Sequence, residues 1–215
     1  VGTSFNAVSL SLPSGATICK SLALALQPSN RLIIVGESGI GKTTLVRALA
    51  GLWAHGSGEV RRAHSTVFLS QEPYIPDGAL RRVLTFPSPD GVFSDDRIIA
   101  SARAAMLGGV LERYTLDATA DWEAVLSRGE QQRCAFCRLL LFEPELAVLD
   151  EATSALDEDM EAALYSALKA PCVVSVSHRP SLLRSHTHML YKKAKEDGKA
   201  DGEEAGTWIF EPIAG

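Results

Sequence analysis

The run Gly36-Glu37-Ser38-Gly39-Ile40-Gly41-Lys42-Thr43 concentrates phosphate chemistry in eight residues. Its glycines let the backbone curl until successive N–H groups point inward. A helix starting where the turn ends, at Lys42, Thr43 and Thr44, adds its own amide donors, and together they make an anion nest. A lysine at that place reaches the β- and γ-phosphates of a nucleotide, and the neighbouring hydroxyl can ligate Mg²⁺. A second set of oxygens stands at Asp150-Glu151, directly after the apolar run Leu146-Ala147-Val148-Leu149. A strand that delivers a carboxylate at its C-terminal end puts Asp150 where Mg²⁺ would be held opposite the nest. Glu151, one residue further round the turn, could orient or deprotonate an attacking water.

These residues need particular elements to hold them. Arg31–Val35 is apolar and β-branched and ends at Gly36, so it reads as a buried strand, and Lys42–Ala50 reads as a helix with Leu45, Val46 and Leu49 on one face. Strand, glycine turn and helix in that order fit the full G-x-x-x-x-G-K-[ST] pattern of the P-loop, or Walker A motif, shared by kinases, GTPases, helicases and transport motors. Further strands are expected at 67–69, 146–149, Cys172–Val176, 188–191 and 207–210, and helices at 95–107, 127–142 and 160–168. The helix over 95–107 is expected to end at Gly108-Gly109, and the one over 127–142 to stop before Pro144. From Pro73 to Trp122, prolines at 73, 76, 87 and 89 break the texture into a mostly helical insert. Strands alternating with helices imply a parallel sheet covered on both faces. The charged stretch KKAKEDGKADGEEAG up to Gly206 reads as a solvated surface loop.

Bulk properties narrow the classes. A chain of 215 residues can bury one sizeable core, or a core plus a small subdomain. A net charge of −5 lacks the basic face of a nucleic-acid binder, so no nucleic-acid partner is expected. No run of eighteen apolar residues is present, so no transmembrane helix is expected within the chain. The start, Val1-Gly2, carries neither methionine nor a signal-peptide pattern, as expected of a domain cut from a longer protein. Four cysteines show no framework spacing. Cys134 and Cys137 form a C-x-x-C on one helix face without a second ligand pair, which suits buried thiols better than a metal or redox site.

Between the two acidic-and-phosphate motifs lies Leu126-Ser127-Arg128-Gly129-Glu130-Gln131-Gln132-Arg133, which resembles the LSGGQ signature of ABC ATPases. Gln71 after an apolar strand resembles the Q-loop, Ser154-Ala155-Leu156-Asp157 the D-loop, and His178 the switch histidine. All stand in the family's order, and the resemblance covers essentially the whole chain. A finer similarity is to subfamily D and its bacterial relatives, whose half-transporters handle acyl-CoA, cobalamin-like or peptide cargo. It rests on Trp122, Val125-Leu126-Ser127, FLSQEPY from Phe68 to Tyr74, LDEATSALD from Leu149 to Asp157, and Ser177-His178-Arg179-Pro180-Ser181-Leu182 with His186 after it.

The resemblance implies an α/β P-loop fold of ABC ATPase type: a mainly parallel sheet flanked by helices, a small antiparallel β part and a helical subdomain at about 73–142. The whole of 1–215 would be one nucleotide-binding domain, with the transmembrane domain outside this chain. It implies ATP and Mg²⁺, a second copy paired head to tail, and a cytosolic position on a membrane. Residues Gly36 to Thr44 would bind nucleotide. Thr43, Asp150 and Gln71 would serve Mg²⁺, while Glu151, Gln71 and His178 would serve catalysis. Leu126, Ser127, Arg128, Gly129 and Glu130 would face the partner's nucleotide. Two other classes stay open: a soluble ABC ATPase of a non-transport process, and a regulatory module without catalysis.

Three features depart from the pattern or carry a second reading. Arg128 stands where the signature has its first glycine, and an arginine in a helix's first turn opposes the dipole by roughly 0.3–1 kcal/mol when exposed. An anion or a partner carboxylate would offset that; otherwise the side chain simply points to solvent. Glu130 replaces the signature glutamine, a change familiar in subfamily D, and Ser127 with Glu130 is also an S-x-x-E capping box. The adenine-stacking aromatic has no evident counterpart, since Phe5, the nearest upstream, is far from Gly36. His186 and His188 lack further ligands and read as structural.

Overall fold

The computed structural model describes residues 2–193 and 207–213. It divides into two units: unit 1 comprises Val1–Phe68, Glu145–Asp150 and Ala170–Gly215, and unit 2 comprises Leu69–Pro144 and Glu151–Lys169.

The strands, in chain order, are β1 (Thr3–Ser11), β2 (Thr17–Leu26), β3 (Arg31–Val35), β4 (Gly56–Arg61), β5 (Thr66–Leu69), β6 (Leu146–Asp150), β7 (Cys172–Val176), β8 (His188–Lys192) and β9 (Trp208–Pro212). Helix α1 (Lys42–Ala50) follows β3. Buried and exposed residues alternate along most of β1 and β2, the mark of antiparallel strands with one wet face. They join β4 in a three-stranded antiparallel sheet of order β2-β1-β4. By contrast β6 and β7 are buried at every residue, because parallel strands inside a sheet have no wet face. They lie in a six-stranded sheet of order β5-β6-β7-β3-β8-β9, parallel at β6/β7, β7/β3 and β3/β8 and antiparallel at β8/β9.

This order delivers the C-terminal ends of β3, β6 and β7 on one side, where Gly36 follows β3, Asp150 ends β6 and Ser177 follows β7. The core of unit 1 is built by Leu32, Ile34, Val148, Val174 and Leu190 from the sheet together with Leu45, Val46 and Leu49 of α1. Full burial of one such side chain contributes about 1.5–3 kcal/mol, so the helix face that anchors the phosphate turn is fixed by packing rather than by propensity. Phe5 belongs to the same core at 5% exposure, so its ring packs inside and is not offered to a base.

Unit 2 carries α2 (Leu80–Thr85), α3 (Asp95–Ala104), α4 (Gly108–Arg113), α5 (Trp122–Val125), α6 (Arg128–Phe142) and α7 (Glu158–Ala167). Fully buried Trp122 donates its indole N–H to the Gly78 carbonyl at 2.8 Å and meets Tyr114 edge-on. Buried Arg138 of α6 donates to the carbonyls of Val83 and Tyr74, both at 2.8 Å, fastening α2 and the segment after Gln71 to the long helix. Glu143 in left-handed conformation and then Pro144 end α6.

The helix expected over 95–107 ends earlier. Met106 takes φ 57, its N–H reaches the Arg103 carbonyl and that of Leu107 reaches Ala102, which is a Schellman stop made by methionine. Gly108 and Gly109 open α4 instead of closing α3. Helix α7 begins at Glu158, two residues before the expected 160, because Asp157 caps it through the Met160 N–H at 2.8 Å. The charged stretch of 194–206 lies outside the described residues. Among the described residues no helix is long and apolar enough to cross a membrane.

Candidate active site

Beyond β3 the backbone turns at Gly36 (φ 138), Gly39 (φ 83) and Gly41 (φ 103) before α1 begins. Gly41 has the least freedom: it caps the helix in a left-handed conformation, and a Cβ there would come within 2.3 Å of Ile18 Cγ2. No side chain caps α1 and no acidic residue occupies its first turn. The first amides and the positive end of the helix dipole therefore suit an anion.

Lys42 is buried, and its Nζ donates to the carbonyls of Gly36 and Glu37 at 2.7 Å each. The turn thus holds the ammonium with its own backbone. Thr43 Oγ1 donates to Asp150 Oδ1 at 3.2 Å, bringing together residues 107 apart in sequence. A hydroxyl and a carboxylate beside a helix N-terminus are hard oxygen donors. They fit Mg²⁺, which takes one or two protein ligands and fills its other positions with water and substrate phosphate. Also in unit 1, His178 is exposed just beyond β7. Glu151, the first residue of unit 2 after β6, takes φ 52, an unusual backbone for a residue with a Cβ.

The other motif residues, like Glu151, belong to unit 2. Ser127 caps α6 and the capping box closes. The Ser127 N–H donates to Glu130 Oε2 at 2.9 Å, while the Glu130 N–H donates to Ser127 Oγ at 3.2 Å. Arg113 adds an ion pair to Glu130. Burial raises the Glu130 carboxyl, but the Ser127 hydrogen bonds with Arg113 and Arg133 more than offset it and hold it below the usual range. Glu130 is therefore spent on fixing its own helix start. Leu126 is buried, whereas Ser127 and Arg128 are exposed. Arg128 Nη1 pairs with Glu72 Oε1 at 3.1 Å, so the carboxylate that offsets its place in the first turn comes from this same chain. With both side chains nearly four-fifths exposed, such a pair stabilises by about 0.2–1 kcal/mol.

Gly129 lies against the Ser154–Asp157 turn: a Cβ there would stand 3.2 Å from Leu156 Cδ2 and 3.4 Å from the Ala155 carbonyl. Gln71, Ser154, Ala155 and Arg128 line one polar cleft of about 390 Å³, together with Glu72 and Gln132. Glu72 and Gln132 have no role in the motif reading. Gln132 directly follows Glu130-Gln131, but nothing in its spacing told that its amide faces the other motifs.

The ABC transporter family model matches residues 19–154, more than half of the chain. This chain belongs to the ABC transporter family. Within it, the chain is an ATP-binding domain of ATPase type. An uncharacterised ABC transporter ATP-binding protein of Synechocystis is 41% identical over 96% of this chain and 31% of its own length. The lysosomal cobalamin transporter ABCD4 of Homo sapiens is 40% identical over 85% of this chain and 33% of its own. An Arabidopsis thaliana protein named ABC transporter D family member 2, chloroplastic, is 34% identical over 82% and 32%. The similarity to subfamily D and bacterial relatives read from the motifs thus holds. The chain spans about a third of the length of these curated relatives.

Cys134, Cys137, His186 and His188 of this ABC domain have structural settings. Cys134 and Cys137 are buried in α6, and burial pushes the Cys134 thiol up to about 12 and that of Cys137 higher still, away from thiolate chemistry. Among the described residues no group of three or more His, Cys, Asp and Glu side chains gathers. His188 stacks on Phe210. His186 is buried, with Nδ1 2.7 Å from the Leu182 carbonyl and Nε2 2.9 Å from Ser175 Oγ. The ring so anchors a short 3₁₀ turn over Pro180–Ser185 to β7.

That burial makes a pH prediction. Desolvation pulls the His186 pKa from 6.5 down to about 4. The folded state holds the ring neutral while the unfolded chain takes up a proton below 6.5, so stability falls as pH drops from 6.5 to 4 and is level above. The total is roughly 3 kcal/mol. Urea unfolding across that window should show His186→Gln with a shallower slope than the parent protein. Parallel slopes would contradict the assignment.

Proposed function

We propose that this domain is the ATP-hydrolysing motor of an ABC half-transporter. Two copies pair head to tail, and each ATP lies between the Gly36-to-Thr44 segment of one and the Ser127-Arg128-Gly129 segment of the other. The observation that carries this reading is the approach of Thr43 Oγ1 to Asp150 Oδ1 at the uncapped start of α1, beside a buried lysine.

Lys42 and the turn amides bind the phosphates. Thr43 and Asp150 would hold Mg²⁺, with Gln71 contributing, and the bound ion would offset charge on the β- and γ-phosphates. Glu151 takes a proton from the attacking water as its oxygen bonds to the γ-phosphorus and the bond to the ADP oxygen breaks. His178 holds the γ-phosphate, and Gln71 orients the water and reports to a membrane domain. Little covalent chemistry falls to the protein; positioning and electrostatics carry the rate. Release of the pair after hydrolysis drives the membrane domain, which lies outside this chain and selects the cargo. The cargo is lipid-like, a cofactor or a peptide; the human relative, a lysosomal cobalamin transporter, supports the cofactor class. The domain then sits on the cytosolic side of its membrane.

The test is inorganic phosphate release from ATP with Mg²⁺ and with a chelator in excess. Turnover with Mg²⁺ that the chelator removes is expected. Equal release in both, or none with Mg²⁺, would overturn the reading.

A further inference from the structure

Gln132 lies in the second turn of α6 and is 3% exposed. Its side-chain amide is engaged on every side. Nε2 donates to the Gln71 carbonyl and to Ser154 Oγ, both at 3.1 Å, and Oε1 accepts the Ala155 N–H at 3.0 Å. The three partners come from two segments remote in sequence, one around Gln71 and one at the Ser154–Asp157 turn. The helix that carries Gln132 begins with the signature.

The chemistry needs an amide here. A carbonyl must be met by a donor and an N–H by an acceptor, so the Gln71 carbonyl and the Ala155 amide fix which end of the side chain points where. A glutamate would set an oxygen against the Gln71 carbonyl. A methionine of similar length would leave that carbonyl and the Ala155 N–H without partners. The backbone reinforces the arrangement independently. Gly129 lies one helical turn before Gln132, hence on the same face, and it is the residue that packs against Leu156 and the Ala155 carbonyl. Residues 129 and 132 together therefore seat the Ser154–Asp157 turn on the signature helix.

We infer that Gln132 is a positioning residue that clamps the Gln71 segment, the signature helix and the Ser154–Asp157 turn into one arrangement, and so couples a domain's own nucleotide to its partner's. The coupling rests on the reading under Proposed function, in which Gln71 serves the domain's own ATP while the signature serves the partner's. A hydrogen-bond network is one physical means by which energetic coupling passes between the segments it joins.

The test uses Gln132→Glu and Gln132→Met in the full chain, with two readouts. Amide hydrogen exchange in the absence of nucleotide reads the clamp itself. Exchange at Ala155 should rise at least tenfold in Gln132→Met, with loosening around both Gln71 and Ser154; unchanged exchange overturns the clamp. Steady-state ATP hydrolysis reads the coupling. The Gln132→Glu kcat should fall at least tenfold and the cooperativity in ATP should drop to a Hill coefficient near 1, while affinity for a fluorescent ATP analogue stays within twofold. A purely structural role would move affinity and kcat together, and that result, or an unchanged kcat in a loosened protein, overturns the coupling. A wild-type protein without turnover would sink the functional reading and the coupling with it, while the exchange result still decides the clamp.

Discussion

Lys42→Ala abolishes ATP turnover and weakens ATP binding by roughly 10- to 100-fold, the loss expected for one or two charge-assisted hydrogen bonds. The ammonium is buried and held by the carbonyls of Gly36 and Glu37, a placement that the alanine side chain leaves empty. The same geometry sets the effect on the empty protein. Removing the ammonium leaves two turn carbonyls to water, so the phosphate turn loosens, while α1 keeps Leu45, Val46 and Leu49 in the core and the fold survives. Nucleotide titration and phosphate release on the folded variant check both parts. Wild-type turnover in Lys42→Ala would remove the Gly36-to-Thr44 segment from the chemistry.

How much of this could be read without coordinates depended on the range of the forces involved. Strand, turn and helix from Arg31 to Ala50 are local, and the hydrophobic run, the glycines and the helical face agree with one another. The interior strands β6 and β7 were equally legible, since a four- or five-residue apolar run without alternation is too short for a helix and suits a strand covered on both faces. The strands β1 and β2 were not legible, and no strand is expected before Arg31. Ala7 and Ser21 take φ 50, and bulges shift the register between Phe5 and Val8, so the alternation changes phase within a strand. The end of α3 was misplaced because glycine is the usual left-handed stop, whereas Met106 adopts that conformation here.

For the candidate site the same division holds. The motif residues could be named from their order along the chain. The partners that orient them could not: Glu72 reaches Arg128 across 56 residues, and Gln132 reaches Gln71 across 61. Nothing in periodicity or composition marks such a pairing. Glu130 shows the opposite case, in which a local capping box was readable from Ser127 three residues before it, and the structure adds only the ion pair with Arg113.

Glu151→Gln is the second large effect. The amide keeps the size of the carboxylate and its place at φ 52, so the nucleotide site is unchanged in shape while the proton acceptor is gone. Losing a general base costs about 10²–10⁴-fold in the chemical step. Binding and pairing precede that step, so ATP accumulates in the assembled pair rather than being turned over. The central claim, that two of these domains close on ATP through the phosphate turn of one and the signature of the other, is tested most directly by size exclusion of Glu151→Gln. The run is made at saturating ATP and Mg²⁺, with ADP as the control. The account predicts a dimer with ATP, a monomer with ADP, and loss of the dimer when Lys42→Ala is added. A monomer under saturating ATP, or a dimer indifferent to nucleotide, would contradict it.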